Sequence, residues 1–210
     1  EIFPAVSPDG KFVAYVVLGK EQKKSRVRLQ SSDGSSVRWL NPESALDENY
    51  PVWSRESSVL AYQEMSQQDG CVIVAKSILG GATSTMSPCW RTVLQYYDWS
   101  HDGHELAFSE LKSPSHNPGG RVSVLDMRTE VTSDLPYPAT ELAPDYEPKF
   151  SSDARKIIFR RGIQPNNDLF LYDRDTGKLA QITHLRESIK GYAWLPNDKG
   201  IVFSSNHSGD

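Results

Sequence analysis

Short apolar and aromatic runs recur along this chain at a fixed distance behind a serine-centred segment. The segment reads Phe3-Pro4-Ala5-Val6-Ser7, Tyr50-Pro51-Val52-Trp53-Ser54, Tyr96-Tyr97-Asp98-Trp99-Ser100, Glu147-Pro148-Lys149-Phe150-Ser151 and Gly191-Tyr192-Ala193-Trp194-Leu195. Its last residues, at 7, 54, 100, 151 and 195, stand 47, 46, 51 and 44 residues apart. Six residues beyond each comes an aliphatic (Val13, Leu60, Leu106, Ile157, Ile201), and eight beyond comes an aromatic (Tyr15, Tyr62, Phe108, Phe159, Phe203). Between the two halves of a copy lie turn formers such as Pro8-Asp9-Gly10. There an Asp carboxylate can bond nearby N–H groups and a Gly takes positive φ without a Cβ clash. β-Branched and aromatic flanks around such a turn predict a β-hairpin. Copy two has Arg55-Glu56-Ser57 and copy four has Ala154 in the Gly place, so those two turns are expected to be less regular.

A second hairpin follows each of the first four copies. Arg26–Leu29 and Val37–Leu40 flank Ser32-Asp33-Gly34, and Val72–Ala75 and Thr83–Met86 flank Gly80-Gly81. Val122–Leu125 and Val131 flank Met127-Arg128-Thr129, and Leu169–Tyr172 and Leu179–Thr183 flank Asp173–Gly177. Four antiparallel strands per unit of about 47 residues describe one propeller blade. With no sustained 3.6-residue period, helix should be minor. The expected fold is therefore an all-β propeller of four-stranded antiparallel blades. The blades fall at about 3–49, 50–95, 96–146 and 147–190, with a partial one at 191–210. Some four and a half blades should not close a ring with standard packing, so the ring is expected to be incomplete here, with exposed blade faces that favour self-association.

Composition adds limits. The 210 residues carry 23 basic and 27 acidic side chains, a formal net charge of −4, with no basic run, which argues against direct nucleic-acid binding by this segment. The longest apolar run, around Val13–Val17, is far below the ~20 residues of a membrane span. The chain opens at Glu1 without a signal-peptide pattern, which suggests a mature or excised segment.

Cys71 and Cys89 lie symmetrically about Gly80. If the turn forms there, they oppose one another across the second hairpin of blade two, within disulfide range. The alternative is a pair of buried thiols acting as small hydrophobes. A disulfide would imply an oxidising compartment.

Little in the chain suggests catalysis. It carries no Gly-x-Ser-x-Gly nucleophile elbow. Ser35 and Ser36 read as turn residues, and His101 and His104 flank a turn that would not converge them on a metal. Asp173, Asp175 and Gly177 begin like a calcium loop, but the required later acid is missing. Trp53, Trp99, Trp194 and Phe150 occupy one repeat position and should pack between blades. No cofactor or metal site is expected. Ligands of propellers tend to bind where the innermost strands border the central channel. That places candidate ligand-binding residues at Asn49, Tyr50, Gln95, Tyr96, Asp98, Tyr146, Glu147 and Lys149, a mixed set suited to a peptide or small polar ligand.

Ser7-Pro8-Asp9-Gly10-Lys11-Phe12-Val13-Ala14-Tyr15 and Trp99-Ser100-His101-Asp102-Gly103-His104-Glu105-Leu106-Ala107-Phe108 resemble the repeat of TolB-type, WD-like β-propellers. So does Leu169-Phe170-Leu171-Tyr172-Asp173 through Thr176-Gly177 to Gln181-Ile182-Thr183. The likeness runs over essentially the whole chain. It implies a non-catalytic bacterial periplasmic module with a protein or peptide partner, acting in interaction or signal sensing. One version is the sensor part of a membrane-anchored transcriptional regulator resembling CadC. The alternatives are the gating propeller of a prolyl-oligopeptidase-type peptidase and a free-standing TolB-like adaptor. Such motifs specify the fold far better than the function.

Overall fold

The computed structural model describes residues 2–19, 24–66, 70–89, 97–111, 120–137, 143–163, 165–185 and 187–206. The chain forms two compact units, Glu1–Gln95 and Tyr96–Asp210. The first holds two antiparallel four-stranded sheets. One is β1 (Ile2–Val6), β2 (Phe12–Leu18), β3 (Ser25–Ser31) and β4 (Val37–Trp39); the other is β5 (Asp47–Trp53), β6 (Val59–Ser66), β7 (Gly70–Ser77) and β8 (Ser84–Cys89). The second unit holds β9 (Tyr97–Trp99), β10 (Glu105–Leu111), β11 (Gly120–Asp126) and β12 (Val131–Asp134), then β13 (Asp145–Phe150), β14 (Lys156–Ile163), β15 (Asn166–Asp173) and β16 (Lys178–Gln181). It ends in a two-stranded sheet of β17 (Ile189–Trp194) and β18 (Ile201–Ser205), joined by a turn of 3-10 helix at Pro196–Asp198. Strands pair in chain order within every sheet, as repeated hairpins require. Among the described residues no helix is long and apolar enough to cross a membrane.

Each sheet is too thin to bury both its faces, so neighbouring sheets cover one another. In the first unit Ala14, Val16, Val27 and Leu29 of one blade pack with Leu60, Tyr62 and Val74 of the next. In the second, Ala107, Val122 and Val124 pack with Ile157, Phe159 and Tyr172, and Ile158 and Leu169 pack with Ile189 and Tyr192. Phe203 of the last sheet is exposed, whereas the repeat aromatics of the four-stranded sheets, Tyr15, Tyr62, Phe108 and Phe159, are all buried. Each such side chain is worth ~1.5–3 kcal/mol of apolar burial. The Trp position is also interior. Trp53 and Trp99 are buried with Phe150, and the indoles of Trp53 and Trp194 donate to the carbonyls of Ala5 and Lys149 on the preceding inner strand (2.9 and 3.2 Å).

In the four-stranded sheets the serine that follows the inner strand builds the turn. Ser7 Oγ donates to Asp9 (2.7 Å) and accepts from Phe12 N–H (2.9 Å), while Asp9 accepts from Lys11 N–H (3.1 Å). The same three bonds recur at Ser100/Asp102 and at Ser151/Asp153. The serine hydroxyl, and next the backbone N–H, hold Asp9, Asp102 and Asp153 below the ordinary carboxylate value. The expectation of looser turns in copies two and four is corrected. Ser57 and Ala154 adopt φ of 57°, close to Gly10 and Gly103 at 71° and 70°, and close the same backbone bond to Ser54 and Ser151. Gly is favoured at the left-handed position but not required there, because the flanking hydrogen bonds hold a Ser or an Ala in the same conformation.

Candidate functional site

Four inner strands are interrupted near their start, three of them at the same offset from the serine. The register slips by one residue between Ile2 and Ala5, Asn49 and Val52, Tyr146 and Lys149, and Ile189 and Gly191. Three of these bulges hold an X-Pro pair: Phe3-Pro4, Tyr50-Pro51 and Glu147-Pro148. A bulge leaves one residue outside the ladder, and Pro has no N–H to leave unsatisfied there. The residue before it takes a left-handed conformation, with φ of 53°, 52° and 56° at Phe3, Tyr50 and Glu147. Such a conformation costs about 1–2 kcal/mol in a non-glycine residue. Strain of this kind, repeated at one position, is a pointer to function.

The proposed ligand residues resolve into two groups. In the first unit Asn49 is buried and Tyr50 half-buried, with the Tyr50 ring 4.2 Å from that of Phe3. Nearby, the buried Glu48 accepts from Val27 N–H (2.8 Å) and from Asn41 Nδ2 (2.7 Å), and burial pushes its carboxyl above the ordinary value. In the second unit Glu147 is buried against Arg160, whose guanidinium also donates to the Ile189 carbonyl and lies 4.9 Å from the Tyr146 ring. Tyr192 donates to the Glu147 carbonyl, and Lys149 Nζ sits 5.3 Å from the Tyr192 ring. Burial keeps the Tyr192 phenol well above its usual value. Asp98 is turned to a tie between inner strands, accepting from Phe150 N–H (2.8 Å). Gln95 and Tyr96 lie outside the described residues.

Phe3, Arg160 and Tyr192 belong to these groups and were not among the sequence candidates. Arg160 carried a weak signal: a charge within strand β14, directly after the apolar run Ile157-Ile158-Phe159. It stands opposite Tyr146, as Gln63 stands opposite Asn49, and both are buried. Polar groups on the second strand thus face the bulge from within. The arrangement offers aromatic surface, an ammonium and closed ion pairs, the elements of a recognition wall. Among the described residues no group of three or more His, Cys, Asp or Glu converges as a metal site.

Cys71 and Cys89 are directly opposed on β7 and β8, with Cα atoms 4.8 Å apart, and form a disulfide. The pair is the one that symmetry about Gly80 predicts, although the hairpin near the turn has a different centre. Near the turn Val74 faces Thr85 and Ala75 faces Ser84, and a bulge then moves the register by one residue before the cysteines meet.

No known family profile matches the chain. Its sequence is similar to part of dipeptidyl-peptidase 5 of Porphyromonas gingivalis, 24% identical over 94% of this chain, which spans 29% of that protein's length. Its fold is similar to that of TolB from Acinetobacter baumannii, with a TM-score of 0.72 at 19% identity, covering 95% of this chain and 47% of that one. It is also similar to a puromycin-hydrolyzing peptidase of Mycobacterium tuberculosis, with a TM-score of 0.64 at 19% identity, covering 93% of this chain and 30% of that one. The chain therefore has an all-β fold of TolB-like propeller blades, a fold that full-length enzymes and TolB share.

Proposed function

We propose that this chain is a non-catalytic binding segment of an extracytoplasmic protein, whose inner-strand bulges receive a protein or peptide partner. The observation that carries the reading is the repeated left-handed residue. Tyr50 and Glu147 occupy the same strained place, beside a half-buried lysine and aromatic surface in the second unit and beside Phe3 in the first. The disulfide and the likeness to TolB support an extracytoplasmic setting.

The match to dipeptidyl-peptidase 5 along nearly the whole chain favours a second reading, in which the segment is the gating propeller of a peptidase and the partner is its substrate. The flanks of the parent gene separate the versions. A downstream Gly-x-Ser-x-Gly supports the peptidase, and an upstream helix-turn-helix with a ~20-residue apolar span supports the CadC-like sensor. Binding is tested by titrating the chain with a library of short extended peptides and repeating with Tyr50→Ala and Lys149→Ala. We expect either substitution to weaken binding by roughly fivefold or more with the circular dichroism unchanged. Peptide affinity indifferent to both would refute the assignment.

A further inference from the structure

Around the bulge of β13 the charges are matched among themselves, with one left over. Glu147 pairs with Arg160, and Arg160 also donates to the Ile189 carbonyl. Asp98 accepts from Phe150 N–H, tying β9 to β13. Lys149, two residues past the left-handed Glu147, makes no ion pair among the described residues. Its Nζ has only the Tyr192 ring, 5.3 Å from the centroid. Lys149 stands directly opposite Ile158 on β14, and Ile158 packs with Ile189 and Tyr192, so this side of β13 is covered by β17. The lysine is half-buried there. A half-buried ammonium has given up part of its water, and a ring returns only part of that loss.

Two residues before each anchor stand Ala5, Val52, Asp98, Lys149 and Ala193. Three are apolar and Asp98 is committed to a backbone N–H, so Lys149 alone brings an unmatched charge to this place. Elsewhere in the second unit all six described arginines meet a carboxylate. Of the other described lysines there, Lys156 stands opposite Asp173, and Lys178, Lys190 and Lys199 are exposed to water. We infer that the partner of the β13 bulge brings an Asp or Glu side chain whose carboxylate takes the Lys149 ammonium. The inference rests on the reading of the bulges as a peptide-binding wall and adds the chemistry that this wall selects. A charge-assisted bond is stronger than a neutral one, and partial burial leaves it less screened than a surface pair. A basic side chain would be repelled by Lys149, and Glu147 is already closed by Arg160.

The test uses the intact chain and three fluorescein-labelled heptapeptide pools, randomised over uncharged residues except at the fourth position, which is Glu, Gln or Lys. Polarisation reads the affinity. We expect the Glu pool to bind tighter than the Gln pool by roughly fivefold or more, and the Lys pool to bind weakest. Lys149→Met keeps an aliphatic stem beside Tyr192 and should bring the Glu pool level with the Gln pool, with thermal melting unchanged. Lys149→Arg should retain the preference, and Lys149→Glu should reverse it toward the Lys pool. Lys178→Met, at an exposed position on β16, should change nothing. No binding by any pool overturns this inference together with the reading on which it rests. Equal binding of the Glu and Gln pools, or a preference that survives Lys149→Met, overturns this inference alone. So does loss of the preference in equimolar inorganic phosphate, which would mark a general anion site. The full-length product of the parent gene must show the same preference; its loss there would mean that the protein's own chain supplies the carboxylate, and the inference would fall.

Discussion

At the scale of single residues, the position three beyond each serine anchor balances backbone strain against contact. Gly fills it in blades one and three, whereas Ser57 and Ala154 accept positive φ. Ser57 gains a bond for its strain, since its hydroxyl accepts from Asp9 N–H in the neighbouring blade (3.0 Å). Asp198, at the same position in the last sheet and also left-handed, accepts from Ser152 N–H (2.9 Å). The Ala154 methyl makes no such bond. We therefore expect Ala154→Gly to stabilise the protein by about 0.5 kcal/mol, the relief of strain outweighing the extra freedom of the unfolded chain. Ser57→Gly should give no net gain, because it also removes the interblade bond. Urea unfolding of the two variants checks the contrast, and equal gains from both would contradict it.

At the scale of elements, the hairpins were legible and the bulges were not. The apolar and aromatic offsets repeat with every copy and point to a hairpin each time, even where the turn carries no Asp-Gly, as at Arg55-Glu56-Ser57 and Asp153-Ala154. The X-Pro pairs at 4, 51 and 148 were visible too, but only the register shows that they interrupt a strand rather than precede one. The partners of N–H groups near the start of the third strand of three blades were illegible for another reason. The N–H of Val27 goes to Glu48, that of Val122 to Tyr137 and that of Leu169 to Thr183, three unlike side chains solving one problem. A buried N–H must be paired, but what pairs it need not repeat. The same holds for Arg174, which clasps Glu105 of the preceding blade with two 2.7 Å bonds at a sequence distance of 69 residues. Of the candidate residues, Asn49, Tyr50, Tyr146, Glu147 and Lys149 stand on inner strands as their place in the repeat predicts, whereas the contacts of the last three with Arg160 and Tyr192 arise from the packing of sheet on sheet.

At the scale of the whole molecule, two sets of carboxylates oppose one another in the response to acid. Asp9, Asp102 and Asp153 have folded values below 3.8, so their contribution is present above that pH and is lost as pH falls through the lowered folded values. Glu48 runs the other way. Burial raises it above 4.5, so the folded state binds its proton more tightly and stability falls as pH climbs from 4.5 through the raised folded value. The stability of Glu48→Gln relative to the parent should therefore improve with rising pH across that window and then level off, whatever constant offset the lost acceptor imposes. Denaturant titrations at pH 4, 5, 6 and 7 read this directly, and a flat difference would show that Glu48 does not carry a raised value.

The covalent link between β7 and β8 joins the outermost strand of blade two to its one hydrogen-bonded neighbour, 18 residues apart in the chain. Any protease that nicks the exposed tip around Leu79 and Gly80 must then leave a single molecule, its halves still tethered. Limited digestion should run as intact mass on a non-reducing gel and split into two fragments only once thiol is added, so that damage at this rim stays silent until the surroundings turn reducing.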